Sequence, residues 1–515
     1  MQGDFVRSQR FSKELELKLL ISPQDQPRVL QSDLISRCVI GPGQEKRLHS
    51  VYYDTAEHTL AENGFSLRVR RDGDTFVQTL KFAPQEEKSF SRHEWETPLQ
   101  GSAPELSDFP GSALGPVAAR LRAKALVPLC SSTVRRRAIP IGFKESILEL
   151  ALDEGVIAAG ERERPISELE IEVKKGDATR LYELALELLD LVPLRWSTES
   201  KFKRGFALAQ GRPPSTAKAS PSSLTEDMVF DDAVAAVLAG CQRHLLANEP
   251  AAEDGRDSEG VHQMRVAVRR MRAAFALFDN ELETKAFKNY DRELKWLAHK
   301  LGACRDWDVF ETETLAKAKI GDEERSILQG AAAPKRDEAY GALRKTFAEQ
   351  RYVKFQLSLG HLIECHGWRE AIGKSAHAQI ARPSQKVAPS PLTTLLRKAW
   401  RKGRRFNKLS LRKRHRVRVA LKKLRYASEF FEPIFGKRKV KRYEKQLALL
   451  QKLLGKDSDM ITTAALLQEL LEASPSRSLA RAAASLRKWQ AKERRAAAPK
   501  ARKAWVKLKA MQRFW

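Results

Sequence analysis

Across residues 211–225 (GRPPSTAKASPSSLT) the spacing of apolar residues changes from every second position to every third or fourth, so the chain cannot form one uniform architecture. Upstream, apolar and charged residues alternate in ELELK from Glu14, LRVR from Leu67, RHEWE from Arg92, ELALD from Glu149 and ELEIE from Glu168, which read as strands. Downstream the pattern is helical and rich in Ala, Leu, Lys and Arg, with a second break at 382–391 (RPSQKVAPSP). The predicted class is α+β multidomain: an antiparallel sheet unit at 11–210, a linker at 211–225 and an all-α unit at 226–515. In a chain of 515 residues each unit is long enough to bury its own core.

Charge is segregated as well. Residues 1–210 hold 30 Lys and Arg against 31 Asp and Glu, residues 211–390 hold 27 against 26, and residues 391–515 hold 36 against 8. The whole excess of +28 therefore sits in the last quarter, which repels itself unless it meets a polyanion: nucleic acid, an anionic membrane surface or a phosphate polymer.

The helical unit repeats itself. His262-Gln-Met-Arg-Val-Ala-Val-Arg-Arg-Met-Arg272 lies on His415-Arg-Val-Arg-Val-Ala-Leu-Lys-Lys-Leu-Arg425 at an offset of 153 residues, and at the same offset Leu301-Gly302 meets Leu454-Gly455 and Asp306 meets Asp459. The two halves run over about 226–380 and 391–515.

In the strands one face is apolar and the other carries acids or bases of a single sign, which water alone does not require. Were the charged faces to turn inward in a barrel, carboxylates and cations would share a lumen, and a polyphosphate with a hard divalent cation answers both. The ordered set of ELELK (Glu14, Glu16, Lys18), Arg68 and Arg70, Lys81, Arg92 with Glu94 and Glu96, Glu149 with Asp153, Glu170 with Glu172, and Ser200-Lys201-x-x-Arg204-Gly205 resembles the CYTH superfamily, the triphosphate tunnel metalloenzymes, over about residues 11–210. The resemblance implies an antiparallel β-barrel that hydrolyses inorganic triphosphate with Mg²⁺ or Mn²⁺. It further implies that Glu14, Glu16, Asp153, Glu170 and Glu172 hold metal, that Lys18, Arg68, Arg70, Lys81, Arg92, Arg136 and Lys201 clamp the triphosphate, and that Glu14, Glu16 and Lys18 form the catalytic signature. Strand parity favours Arg136 over Arg135 and Arg137 as the inward arginine. Glu168 and Lys174 fit the lumen and a wet strand end equally, and His93 reads as lying outside the lumen.

His262, Arg265, Arg269 and Arg272 share one helical stripe, as do His415, Arg418, Lys422 and Arg425, beside apolar positions Val261, Met264, Val268, Met271 and Phe275. Like charges at such spacing cost about 0.2–0.5 kcal/mol per pair, so a duplicated basic face points to a bound anion. The pattern, followed by Leu-Gly-x-x-Arg305-Asp306-x-Asp308, resembles the CHAD domain, which implies two four-helix halves that bind long-chain polyphosphate through those eight residues. Asp306 and Asp459 read as structural, and residues 475–515 as a helix or a free basic tail.

Other chemistries find little support. The five cysteines are scattered without metal-ligand spacing, Gly373-Lys374-Ser375 lacks the earlier glycine of a P-loop, and His299, His361, His366 and His377 match no stripe. No run approaches the ~18 apolar residues of a membrane span and no signal peptide is evident, so the sequence reading places the chain in the cytoplasm, with association with polyphosphate granules in view. Alternatives are thiamine triphosphatase or a CYTH-type adenylate cyclase, and a non-enzymatic polyanion binder. Nucleic acid is the weaker polyanion: aromatics are scarce among the basic residues of 391–425, though duplexes held by backbone charge stay open.

Overall fold

The computed structural model describes residues 10–82, 92–109, 114, 121, 125–282 and 284–515, with the side chains of 10–14, 92, 93, 108 and 280 outside the description. The chain divides into two compact units, 1–214 with 348–365 and 215–347 with 366–515.

The first unit is one ten-stranded antiparallel sheet: β1 (Arg10–Glu14), β2 (Glu16–Ile21), β3 (Gln44–Thr55), β4 (Phe65–Asp72), β5 (Thr75–Phe82), β6 (Arg92–Leu99), β7 (Leu126–Phe143), β8 (Ser146–Ala159), β9 (Arg162–Lys175) and β10 (Leu194–Trp196). Its order is β1-β6-β5-β4-β3-β7-β8-β9-β2-β10. The closed barrel expected from the sequence is not formed by the ladders among the described strands. Instead the N-terminal run breaks at Leu15: its first half pairs with β6 and its second with β9, so two distant parts of the sheet are joined by the covalent chain.

Alternation does the sorting. Leu17, Leu19, Ile171, Leu169 and Leu150 are buried on one face, where the sheet meets helix α1 (Thr179–Leu191) through β2 and β9. The opposite face of β2 to β9 presents the charged residues. Helix α2 (Lys201–Gln210), capped by Ser200, lies across β7, and Gly205 permits this because a Cβ there would stand 2.4 Å from the Cys130 sulfur. The linker 212–225 carries neither helix nor strand.

The second unit is helical. Its long helices are α3 (Phe230–Ala247), α4 (Glu259–Leu282), α5 (Lys288–Val309), α6 (Asp322–Ala348, whose last residue begins the segment assigned to the first unit), α8 (Pro389–Lys402), α9 (Leu411–Phe430), α10 (Lys437–Ala473) and α11 (Arg477–Ala510). Between them in sequence, α7 (Gln350–Glu364) packs on α1 in the first unit, with Gln350 donating to the Leu189 carbonyl at 2.8 Å. Val261, Met264, Val268, Met271 and Phe275 of α4 are buried, as are Val417, Leu421 and Leu424 of α9. The repeated helices α4 and α9 pack on each other, α4 also on α5 and α9 also on α10. Residues 477–510 form a helix docked on α10 through Leu479, Ala482 and Leu486, not a free tail. No described helix is long and apolar enough to cross a membrane. The cysteines are free thiols; Cys130, Cys241 and Cys304 are buried and Cys365 is exposed.

Candidate functional site

Two cavities gather the charged residues, one in each unit. The first, about 420 Å³, is lined by residues from β2 to β9 and by Ser200, Lys201 and Phe202, so the sheet curls round it. Register explains its chemistry. Glu16 faces Glu172 across the β2–β9 ladder, and Glu172 faces Glu149 across β9–β8, so three carboxylates stand in one cross-strand row. Like charges directly opposed destabilise a sheet unless a cation sits among them. Lys174 supplies part of that charge from the same strand face, at 2.7 Å from Glu172 and 3.4 Å from Glu149, and Lys18 lies 3.3 Å from Glu16. Lys174 is thus a lining residue.

Deeper rows hold a compensated cluster. Asp153, Glu168 and Glu170 are buried with carboxylate oxygens close enough to share an ion, yet cations already occupy them. Arg136 makes a two-pronged contact with Asp153 at 2.7 and 2.7 Å and also reaches Glu170; Lys18 binds Glu170; Lys201 binds all three; Arg204 binds Glu168. Burial alone would raise the Glu170 carboxyl, but Arg136, Lys18 and Lys201 hold it well below the ordinary glutamate range. Burial and Glu170 likewise push Asp153 up, and Lys201 and Arg136 overcome them, leaving it lowered.

Glu168, fully buried, is therefore no wet strand end. It ties α2 to β9 through Lys201 and Arg204. Glu168→Gln is expected to cost about 1–3 kcal/mol, because buried Arg204 loses its carboxylate partner and Lys201 one of its three. Urea unfolding measures this, and a midpoint equal to that of the unaltered protein would refute it.

On the basic wall, Arg68 and Arg70 of β4 and Lys81 of β5 line the same cavity, with Glu94 within 2.7 Å of Lys81 and 3.6 Å of Arg68. Burial first, then Arg68 and Arg136, lowers Arg70 to about 10. The Nε atoms of Arg68 and Arg70 are buried without a hydrogen-bond partner. Arg136 lines the cavity, whereas Arg135 and Arg137 are solvent-facing partners of Glu154 at 2.6 Å and Glu45 at 3.3 Å. The side chains of Glu14, Arg92 and His93 lie outside the described residues; the Glu14 backbone pairs with Arg92.

The second cavity, about 710 Å³, lies where the two repeats meet. His262, Arg265, Arg269 and Arg272 line it from α4, and His415, Arg418 and Lys422 from α9. Arg425 does not line it: its Nε pairs with Glu429 at 3.2 Å. Residues not singled out by the stripe also line it, among them Arg305, Lys423, Lys452 and Glu313, the last in a π-helical turn (Phe310–Leu315) after α5. Arg305 pairs with Glu313 at 2.8 Å, Arg272 with Asp291 at 2.8 Å, and Asp306 stands 4.0 Å from Arg265 inside the groove. Burial lowers His262 and His415 from the usual histidine value, and nearby arginines add to it. His361 and His366 lie elsewhere, on Glu183 and Asp231.

A sheet curled round a cavity with acidic and basic walls is followed by a helical unit with a basic groove, a two-part protein with one charged cavity in each part. Residues 12–206 match the CYTH domain family and residues 236–468 the CHAD domain family, so the chain is a fusion of a CYTH domain and a CHAD domain. It is 34% identical over 198 residues to an inorganic triphosphatase of Haemophilus influenzae, a match that spans 38% of this chain and 55% of that protein, about half its length. An uncharacterized protein of Mycobacterium tuberculosis is 27% identical over 382 residues, 69% of each chain. Among solved structures, the CHAD domain of the plant Ricinus communis overlaps 58% of this chain and 98% of its own, at 29% identity and a TM-score of 0.49.

Proposed function

We propose that the first unit hydrolyses inorganic triphosphate with a divalent cation and that the second binds long-chain polyphosphate. The observation carrying the first half is the pairing, in one cavity, of a row of three carboxylates with two arginines whose buried Nε atoms have no partner. The carboxylate row suits a hard cation, Mg²⁺ or Mn²⁺, held by Glu16, Glu172 and Glu149, with Glu14 from the signature and with Glu170 one row deeper and Asp153 two. When bound, that cation supplies charge neutralisation to the phosphate chain. Arg68, Arg70, Lys81 and Arg136 bind phosphate oxygens, Lys18 and Lys201 add charge, and Arg92 belongs to the same clamp by family. Water, oriented by a carboxylate of the row, attacks the terminal phosphorus in line; the P–O bond to the bridging oxygen breaks, giving diphosphate and phosphate. The relative's triphosphatase name and the CYTH match support this reading.

Phosphate release from triphosphate, thiamine triphosphate, ATP and long polyphosphate, with each metal, tests it. Triphosphate is expected to be preferred, with no release in EDTA; metal-independent release, or none from triphosphate, would overturn it.

For the groove, the repeated Leu-Gly dipeptide offers a test that leaves charge untouched. A Cβ on Gly302 would come 2.8 Å from an Arg265 guanidinium nitrogen, while the nearest atom to one on Gly455 is 3.7 Å away. Gly302→Ala is expected to displace that guanidinium and weaken polyphosphate affinity several-fold, whereas Gly455→Ala leaves it unchanged; both gain up to about 1 kcal/mol of helix stability. Titration with polyphosphate and thermal melts read both, and equal affinity in the two variants would remove Arg265 from the binding face.

A further inference from the structure

Lys422 differs from the arginines around it. Arg265 has Asp306, Arg269 donates to the Arg265 carbonyl at 3.0 Å, Arg272 has Asp291, Arg305 has Glu313, Arg418 donates to the Gln451 carbonyl at 3.3 Å and Arg425 has Glu429. For Lys422 the described residues offer no ion pair and no hydrogen-bond acceptor. Yet it lines the groove, half-buried, on the helix that packs against α4.

The field at this ammonium is positive from several sides. Its own helix brings Arg418 and Arg425, with His415 and Lys423 in the same groove; α4 brings Arg265 and Arg269, with His262 and Arg272 beyond them. From α5 come Arg305 and Asp306, from the π-helical turn Glu313, and from α10 Lys452 and Asp459. From α8, Lys398 and Lys402 act on the neighbouring Lys423. The acids bring little relief: Arg305 engages Glu313, Asp306 lies nearest Arg265, and Asp459 feels Arg418 and Lys456 ahead of Lys422.

We propose that Lys422 is uncharged in the free groove and takes up a proton as a phosphate chain enters, so that polyphosphate binding is coupled to proton uptake. This rests on the reading of the groove as a polyphosphate site. Burial first, then Arg269, Arg418, Arg265 and Arg425, pulls Lys422 down to about 6, so at neutral pH the uncharged amine is the favoured form. Shedding this proton lets the groove hold its guanidinium groups together without a counter-ion. A polyphosphate lying on the same arginines replaces repulsion by attraction and returns the ammonium toward the ordinary lysine range.

The test is calorimetric titration of the full chain with long-chain sodium polyphosphate, in EDTA to silence the tunnel, in PIPES, HEPES and Tris at pH 7. The slope of observed enthalpy against buffer ionisation enthalpy counts protons. Because His262 and His415 are also held low, the comparison is made in a His262→Gln/His415→Gln background. There, uptake is expected to be close to one proton, and adding Lys422→Arg, which stays charged, should bring it near zero while binding persists. In the unaltered protein, uptake should remain near one at pH 8, where a histidine contribution has faded. Binding with a buffer-independent enthalpy, or equal uptake with and without Lys422→Arg, would overturn the proposal. Absence of binding would instead overturn the groove reading beneath it.

Discussion

Arg136→Met is expected to lower kcat/KM for triphosphate by about 10²–10³ and to cost about 3–5 kcal/mol of stability at neutral pH. Both effects follow from one side chain. Its guanidinium holds Asp153 by two bonds of 2.7 Å and also Glu170, and it is the β7 cation lining the cavity. Without it, burial and mutual repulsion act on two buried carboxylates that retain only Lys18 and Lys201. The sign in pH follows from the lowered folded-state values. Such groups contribute stability that is fully present above their unfolded values, about 3.9 and 4.3, and lost as pH falls through the folded values. The unaltered protein should therefore lose stability steeply on acidification below about pH 4, and Arg136→Met should show a flatter acid limb because the contribution is already gone. Arg136→Lys keeps the charge but not the two-pronged geometry, so it should recover more stability than activity. Urea unfolding from pH 3 to 7 and phosphate release from the folded fraction separate the two. Wild-type activity in Arg136→Met would take this arginine out of the substrate clamp.

What made the cavity side chains legible is the period of two. Glu16 and Lys18, Arg68 and Arg70, and Glu170 and Glu172 sit at i and i+2 on their strands, so each pair shares a face, and the same parity puts Arg136 on the cavity and Arg135 and Arg137 in solvent. Pairing between strands is not written in that pattern. That Glu168 is buried depends on Lys201 and Arg204 arriving from α2, a partnership set by packing, and the break at Leu15 that leaves the sheet open hangs on a single residue. In the helical unit the stripe at i, i+3, i+7 and i+10 separates a basic face from a core face, and Val261, Met264 and Met271 are indeed buried. Its last member in the second copy, Arg425, turns to Glu429 instead, because at that end of α9 an acid one turn on competes for it. The packing of α7 on α1 is set by tertiary contact that no local pattern announces.

The second large effect concerns the groove and its salt dependence. Residues 391–515 carry 36 basic against 8 acidic residues, but only some of that charge lines the groove, and a polyanion held there should feel the lining residues most. Arg269 and Arg418 face the cavity from the two repeats, each with its Nε on a backbone carbonyl and no carboxylate paired to it among the described residues. Each phosphate contact made by such a group releases about 0.7 of a counterion on the single-strand scale, so Arg269→Ala/Arg418→Ala should flatten the slope of log affinity against log salt by about 1.4. Affinity at low salt should fall by one to two orders of magnitude, and the difference from the unaltered protein should shrink as salt rises. The slope discriminates between charge and shape: a groove that merely collapsed would lose affinity by the same factor at every salt concentration. Replacing Arg487 and Lys488 of α11, which do not line the groove, should leave affinity largely intact even though the net charge falls equally. If the two double variants weakened binding alike, the whole basic surface rather than the groove would hold the chain. If duplex DNA of equal phosphate count bound as tightly as polyphosphate at the same ionic strength, the groove would have no preference for a slender chain that can enter it.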